Sequence, residues 1–418
     1  MDVVTAFLHP EIDQTDILMN FPQLHGIGDL SEFNLNTDGC QTVRLRKALY
    51  GLKQSPRLWY KEIDSFLKSL NFRQSIMEPN LYLTKNIMIL LYMDDLQLFF
   101  NSRKEVEEIK RKLREKYWMV DLRPARRFLG MNIDRTELGY ALYQTSYIES
   151  LLQRFKMTDA YGVDTPIDNH VSLDIAANDT DKPTDQTEYL ARVGSLMYAA
   201  TGTQPDISYT VGLLCSYNAN PCTRHLTAAK RVLRYLKKTK NLRLIYTTDT
   251  SKHDLYGFVD SDWAKSQDRK SIGGYAFMLS NTAISWSSKK QALVAQSTKE
   301  AEYTAFNEVS REALWLRQLL SDINNCGSQP DSEPPVADTT VIYADNQGAI
   351  KHTNTKGITA RTKHFDIYLK HARDLQQKEI VRFTYIQSAE NTADILTKGL
   401  PAPSHHRHVE NLGLGDLG

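Results

Sequence analysis

The chain has 418 residues, of which 41% are hydrophobic and 24% charged, and its formal net charge is +1. This length predicts two or three domains, and the composition is typical of a globular protein. No apolar run reaches the roughly 18–20 residues of a bilayer-spanning helix, and no signal peptide opens the chain, so we expect no membrane partner. The cysteines show neither CxxC nor zinc spacing, which indicates reduced, structural thiols in an intracellular protein. They are Cys40, Cys215, Cys222 and Cys326.

The first eight residues look like strand material with an acid, Asp2, at the second position. No upstream sequence could pair with such a strand. We therefore expect the chain to begin inside a domain.

A basic turn around Gly51 leads into an expected helix. Ser55 is the predicted N-cap and Pro56 the first helical residue, and apolar residues from Trp59 onward follow at helical spacing. Backbone N–H groups at such a helix start can bind phosphate, although the signal is weak by itself.

Residues 87–100 form an apolar, strand-forming run interrupted by Asp94 and Asp95. Burying two adjacent acids is costly unless something neutralises them, and Mg²⁺ would do so. A hairpin with metal ligands at its tip is therefore one interpretation. A hairpin with a solvated Asp-Asp turn has equal weight on this segment alone.

Three segments together are more specific. In order and spacing, residues 2–8, 48–56 and 91–95 resemble successive palm motifs of the reverse transcriptase of copia-type LTR retrotransposons. The resemblance implies that Asp2, Asp94 and Asp95 hold two metal ions for in-line nucleotidyl transfer. It also implies that five further residues lie beside the incoming nucleotide, with an aromatic wall excluding a 2′-hydroxyl. They are Phe7, Tyr50, Gly51, Lys53 and Gln54.

Residues 128–133 resemble the primer-contacting hairpin of the same family. Residues 121–127, Val4 and the pair at 9–10 depart from the family pattern, and the fingers region is missing. We therefore expect polymerase activity to be impaired, and a catalytically inactive relic that at most binds nucleic acid is the alternative.

A connection is expected next. Residues 164–188, rich in Asp, Thr, Asn and Pro, are the predicted linker, and residues 189–245 a helical connection. Residues 224–243 carry eight Lys and Arg and no acids, so Lys230 and Arg234 would share a phosphate-binding helix face. A merely solvated face is the alternative.

The last block is predicted to alternate strands and helices in the order of the ribonuclease H fold. A capping box at residues 297–300 begins its first helix, and Gly273 and Gly274 are expected between its first two strands. Over residues 254–401 it resembles the ribonuclease H domain of the same retrotransposons. The resemblance implies four metal-binding acids, Asp260, Glu302, Asp345 and Asp394.

Physical reasoning agrees with that implication. Adjacent strands would bring Asp260 and Asp345 to neighbouring ends of one sheet, where four carboxylates repel one another without cations. Two Mg²⁺ ions about 3.5–4 Å apart, or Mn²⁺ as a substitute, would bind the scissile phosphate and activate a water. Asp262 is interpreted as a turn residue and Glu300 as a cap. His364 and His371 are interpreted as surface or substrate-contacting residues.

The predicted fold class is α+β with α/β character, comprising a truncated polymerase palm and thumb, a connection, and a ribonuclease H-like domain with a five-stranded mixed sheet. The expected domains are residues 1–165, 166–250 and 251–401, with a tail at 402–418. The expected function is a retrotransposon polyprotein fragment that cleaves RNA in RNA–DNA hybrids. Its partners would be that hybrid, an RNA template, a DNA primer and, for a competent polymerase, dNTP.

Overall fold

A computed structural model describes residues 1–12, 17–20, 42–169, 172–174, 181–249, 254–263, 268–295, 297–325, 338–354 and 366–417. Two compact units divide the chain, Met1–Ala125 with Gln318–Pro335 and Arg126–Arg317 with Val336–Gly418. Within the second unit, residues 139–142 pair with residues 244–247 in an antiparallel ladder. Among the described residues, no helix is both long enough and apolar enough to cross a membrane.

The first unit is built on a six-stranded antiparallel sheet in the order β4-β5-β6-β7-β1-β8, beside the separate pair β2 and β3. Its elements are β1 (Asp2–Val3), β2 (Leu18–Asn20), β3 (Thr42–Arg44), α1 (Ser55–Ser69), β4 (Arg73–Gln74), β5 (Leu81–Leu83), β6 (Ile87–Tyr92), β7 (Asp95–Phe100), α2 (Arg103–Lys116) and β8 (Met119–Val120).

Apolar residues at helical spacing hold both helices in the core of this unit. Trp59, Ile63 and Leu67 of α1 are buried with the inward residues of β6 and β7. Ser102 caps α2, since its hydroxyl accepts a hydrogen bond from the Glu105 amide. The predicted cap of α1 is wrong. Ser55 is already helical, and its hydroxyl donates to the Leu49 carbonyl at 2.6 Å.

The second unit contains two five-stranded sheets, and the first has the order β18-β12-β11-β10-β9. The elements up to residue 247 are β9 (Arg127–Phe128), β10 (Met131–Arg135), β11 (Gly139–Tyr143), α3 (Thr145–Arg154), α4 (Gln186–Gly202), α5 (Ser208–Cys215), α6 (Thr223–Thr239) and β12 (Arg243–Thr247). Helices α3 to α6 share one apolar core, because each places its Leu, Val, Ile or Tyr stripe inward.

The second sheet has the order β15-β14-β13-β16-β17, in which β13 is parallel to β16 and antiparallel to β14. The elements of this part are β13 (Tyr256–Asp262), β14 (Ile272–Leu279), β15 (Thr282–Lys290), α7 (Thr298–Asn324), β16 (Thr340–Ala344), α8 (Gln347–Asn354), α9 (Asp366–Gln377), β17 (Val381–Tyr385), α10 (Ala402–Asn411) and β18 (Leu414–Gly415). His364, which the sequence analysis interprets as a surface or substrate-contacting residue, lies outside the described residues.

Three details of the second unit correct the sequence-based expectations. Gly273 and Gly274 lie inside β14 and not between two strands. Part of the predicted linker is packed, since Thr165 and Leu173 are buried. The predicted tail is structural, because β18 pairs with β12 and the side chain of Leu412 is buried in a core shared with β14.

Candidate active site

The second sheet of the second unit brings two predicted acids to neighbouring strand ends. Strands β13 and β16 are parallel, with Phe258 opposite Tyr343. Two residues further along β13 lies Asp260, and Asp345 directly follows the last residue of β16. The two acids therefore lie at the same end of neighbouring strands. Aliphatic residues on the buried faces of both strands fix this register.

A close backbone approach brings the third acid to the same place. Gly274 is paired with Asp260 across β14 and β13, and a Cβ at Gly274 would lie 2.8 Å from the Cβ of Leu396. Only a glycine therefore lets the chain after Asp394 cross this strand. Asn391 fixes the segment by donating to the Val259 carbonyl at 3.0 Å.

Asp260, Asp345 and Asp394 form a compact carboxylate group. One oxygen from each lies within 4.8 Å of the others. Asp260 and Asp394 are buried, with 3% and 7% of their surface exposed. The hydroxyl of Thr397 donates to Asp260 and so orients its carboxylate.

Glu302 is the fourth acid and lies near the start of α7. The predicted capping box begins this helix, since the hydroxyl of Ser297 accepts a hydrogen bond from the Glu300 amide. Glu302 is 6% exposed. Burial, and after it the charges of Asp260 and Asp345, raises the pKa of the Glu302 carboxyl well above its ordinary value. The charges of Asp260 and Asp345 therefore reach the Glu302 carboxyl.

The electrostatics of Asp394 follow the same pattern. Burial, and after it the charge of Asp260, raises the pKa of Asp394 to about 7, although Lys398 opposes the shift. The Lys398 ammonium lies 2.8 Å from Oδ1 of Asp394 and 3.8 Å from Oδ2 of Asp260. Burial by itself would lower the pKa of Lys398, but Asp260 and Asp394 raise it.

The donor set fits a divalent metal ion. Carboxylate oxygens are the hard ligands that Mg²⁺ and Mn²⁺ take in proteins. Burial and neighbouring carboxyl groups raise the pKa values of Glu302 and Asp394, and a cation would offset the repulsion among these acids. This arrangement is suited to binding metal and, through it, a phosphate.

The predicted polymerase acids lie on neighbouring strands of the first unit. Asp2 is paired with Asp95 across β1 and β7, and the Val3 amide donates to the Asp94 carbonyl at 3.0 Å. Burial, followed by the charges of Asp2 and Asp94, raises the pKa of Asp95. Among the described residues, the group of three acids whose oxygens lie within 4.8 Å of one another does not include these polymerase acids.

The turn that carries Asp94 has its own support. Met93 adopts a left-handed backbone conformation with φ of 54°, and its carbonyl accepts a hydrogen bond from the Trp59 indole at 2.7 Å. The residues predicted beside a nucleotide are partly brought together. The rings of Phe7 and Tyr50 lie 4.7 Å apart. The other predicted residues follow Tyr50 within four positions of the sequence, and they are Gly51, Lys53 and Gln54.

Several basic residues of helix α6 are engaged in contacts with residues 161–168 of the same chain. Arg231 donates to the Thr165 carbonyl, and Arg234 donates to the Tyr161 carbonyl at 2.7 Å. Lys238 pairs with Asp164. These contacts hold residues 161–168 against the helix, whereas Lys230 is exposed.

Sequence reasoning missed three residues that shape the carboxylate group, namely Gly274, Thr397 and Lys398. Their contacts join positions that are more than 100 residues apart, except for the pair of Lys398 with Asp394. That i,i+4 spacing was the one local signal that could have indicated Lys398.

Comparison with known proteins adds the family. Residues 1–169 match the family model for reverse transcriptase (RNA-dependent DNA polymerase). The chain is 36% identical over 426 residues to the retrovirus-related Pol polyprotein from transposon TNT 1-94 of Nicotiana tabacum, covering 99% of this chain and 30% of that one. It is 34% identical to the putative transposon Ty5-1 protein of Saccharomyces cerevisiae, covering 75% of this chain and 100% of that one.

A solved structure supports the fold. The foamy viral protease-reverse transcriptase, determined in complex with an RNA/DNA hybrid, is similar with a TM-score of 0.51 and 13% identity. The match covers 93% of this chain and 43% of the viral chain.

Fold and family match together assign the chain to the class of reverse transcriptase-related proteins. More particularly, the chain belongs to the copia-type family of retrotransposon Pol polyproteins. It spans less than a third of the length of the tobacco relative.

Proposed function

We propose that the second unit is a Mg²⁺-dependent ribonuclease H that cleaves the RNA strand of RNA–DNA hybrids. The observation that carries the proposal is the compact group of Asp260, Asp345 and Asp394, whose charges act on the buried carboxyl of Glu302. The four predicted ribonuclease H acids come from four separate segments of the chain. Their convergence at one sheet edge supports a shared role.

The residues have distinct tasks in this proposal. Asp260, Asp345, Asp394 and Glu302 would hold two Mg²⁺ ions, which when bound supply charge stabilisation at the phosphate and a lowered water pKa. Thr397 keeps the Asp260 carboxylate oriented. Gly274 keeps the segment of Asp394 close enough to take part.

Selectivity for the hybrid provides the test. The purified chain with Mg²⁺ would be given end-labelled RNA–DNA hybrid, double-stranded RNA and double-stranded DNA of one sequence. We expect cutting of the RNA strand in the hybrid alone, because contacts to the 2′-hydroxyl and to helix shape distinguish the three duplexes. Equal cutting of all three, or Glu302→Gln cutting as fast as wild type, would overturn the proposal.

For the first unit we propose RNA-directed DNA polymerase ancestry, with Asp2, Asp94 and Asp95 as its metal ligands and a DNA primer, an RNA template and dNTP as its substrates. The pairing of Asp2 with Asp95 supports this assignment. The alternative for this half is a relic that at most binds nucleic acid.

Primer extension on an RNA template decides between the two. Extension that is lost in Asp94→Asn would establish the polymerase. Unextended primer, from protein that retains hybrid binding, would establish the relic.

The remaining assignments belong to the same proposal. Phe7, Tyr50, Gly51, Lys53 and Gln54 would line the nucleotide site, and the contact between the Phe7 and Tyr50 rings supports that grouping. Lys230, which is exposed on α6, would contact phosphates.

Arg234 would join Lys230 only through the guanidinium N–H groups that its bond to the Tyr161 carbonyl leaves available. We keep the domain assignment of palm and thumb, connection and ribonuclease H-like domain at residues 1–165, 166–250 and 251–401. We extend the last domain to include α10 and β18.

A further inference from the structure

Lys398 is the basic residue at the carboxylate group. Its ammonium contacts Oδ1 of Asp394 at 2.8 Å and approaches Oδ2 of Asp260 to 3.8 Å. Among the described residues, no other Lys or Arg forms an ion pair with the four acids of the site. One positive charge therefore faces a set of four carboxyl groups.

The position of Lys398 is fixed by its own backbone. The amide of Lys398 donates to the Asp394 carbonyl at 3.2 Å, so the two residues share one turn of the chain. The side chain is 29% exposed, in contrast to 5% for the side chain of Asp260 and 10% for that of Asp394. The Lys398 side chain is therefore more exposed to solvent than the two acids that it contacts.

The same carboxylate oxygens would serve a metal ion. A cation at Asp260 and Asp394 and the Lys398 ammonium would repel each other at this range, most strongly where water is scarce. Both cannot remain in direct contact with the pair of acids. Occupation by one therefore weakens occupation by the other.

We propose that Lys398 is a tethered counter-ion that stabilises the carboxylate group without metal and competes with the divalent ion for Asp394 and Asp260. The proposal rests on the proposed ribonuclease H metal site. In this role Lys398 lowers the affinity of the site for the metal ion. It also stabilises the metal-free protein, because its charge offsets the repulsion among the acids of the carboxylate group. It is a positioning residue and not a ligand.

Metal binding by the full chain without nucleic acid tests the proposal. Mn²⁺ binding would be measured by electron paramagnetic resonance and by calorimetry, and the sites lost in Asp345→Asn would be assigned to the carboxylate group. We expect Lys398→Met to bind Mn²⁺ at those sites about tenfold more tightly than wild type, because the competing charge is gone. Lys398→Arg, which keeps the charge, should stay within about twofold of wild type.

Thermal unfolding supplies a second readout. In EDTA we expect Lys398→Met to melt below wild type, and with saturating Mg²⁺ to show the larger rise in Tm. Lys378→Met is the matched control, since Lys378 forms the same i,i+4 pair with Asp374 at 2.8 Å on an exposed helix face. It should change neither Mn²⁺ affinity nor the Mg²⁺-induced rise.

Unchanged or weaker Mn²⁺ binding by Lys398→Met, with wild type binding Mn²⁺ and cutting hybrid, would overturn the competition and leave the ribonuclease H proposal standing. No Mn²⁺ site sensitive to Asp345→Asn in wild type would overturn both. If Lys398→Met does not fold, Lys398→Gln replaces it in the same two measurements.

Discussion

Replacing Asp394 by Asn should stabilise the metal-free protein at alkaline pH while it abolishes hybrid cleavage. The reason lies in the raised pKa of the Asp394 carboxyl, which is about 7 in the folded chain against an ordinary 3.8. At roughly 1.36 kcal/mol for each pKa unit, this difference costs the folded state up to about 4 kcal/mol once the group is ionised. The variant carries no such charge.

The sign and the pH window follow from the same two pKa values. The folded state binds the Asp394 proton more tightly than the unfolded state, so stability falls as pH rises from about 4 to about 7. The variant lacks this dependence. The pKa of about 7 already includes the opposing effect of Lys398 on the Asp394 carboxyl. At about pH 8 the gain should therefore be up to about 4 kcal/mol, and at about pH 5.5 roughly half of that.

Urea unfolding in EDTA at both pH values measures the effect. Asp374→Asn is the control, since Asp374 pairs with Lys378 on an exposed face and should change the unfolding free energy by less than about 0.5 kcal/mol. Mg²⁺ should remove the advantage of Asp394→Asn by stabilising wild type. A variant less stable than wild type at about pH 8 in EDTA would refute the electrostatic reasoning.

Three further predictions follow from packing. Urea unfolding checks the first and the third, and hybrid cleavage checks the second. Gly130→Ala should lower the free energy of unfolding by about 1–3 kcal/mol, because Gly130 has φ of +74° and a Cβ there would lie 1.8 Å from the Tyr198 hydroxyl. Gly194→Ala, in an open and exposed position of α4, should instead raise the free energy of unfolding by about 0.5–1 kcal/mol. Gly274→Ala should slow hybrid cleavage at least about tenfold, because it pushes away the segment of Asp394, and cleavage at the wild-type rate would contradict the close approach. Ending the chain after Leu400 should destabilise the second unit by more than about 3 kcal/mol, since it removes the pairing of β18 and buried side chains of α10, and a change below about 1 kcal/mol would show the segment to be dispensable.

The carboxylate group could be predicted from the sequence to a large extent. Asp260 and Asp345 each follow an apolar strand, and the capping box at Ser297 marks the helix that carries Glu302. Such signals are local, and they survive without knowledge of the tertiary contacts. The meeting of the acids followed from the order of strands and helices.

The features that the sequence did not reveal depend on long-range contacts. Gly274 looked like a turn residue, but its lack of a side chain is required by the crossing segment at Leu396. The basic stripe of α6 looked like a phosphate-binding face, yet Arg231 and Arg234 bind carbonyl groups of residues 161–168. Helical spacing reveals which side chains share a face, but not what covers that face.

The last helix and strand show the same restriction at the end of the chain. The amphipathic pattern of α10 is short, and β18 has only two residues, so local propensity could not predict these elements. The partner of β18, β12, lies about 170 residues earlier, and that pairing fixes the fold of the segment.

The most direct test of the account is cleavage of a labelled RNA–DNA hybrid by the purified full chain with Mg²⁺, compared with Asp345→Asn. The account predicts hybrid-specific cutting by wild type and a loss of at least about a thousandfold in the variant, because one of the three clustered carboxylates is gone. Hybrid binding without metal should be alike in the two proteins. Absence of cutting by folded wild-type protein that binds the hybrid, or equal cutting by Asp345→Asn, would contradict the assignment of the carboxylate group as a ribonuclease H site.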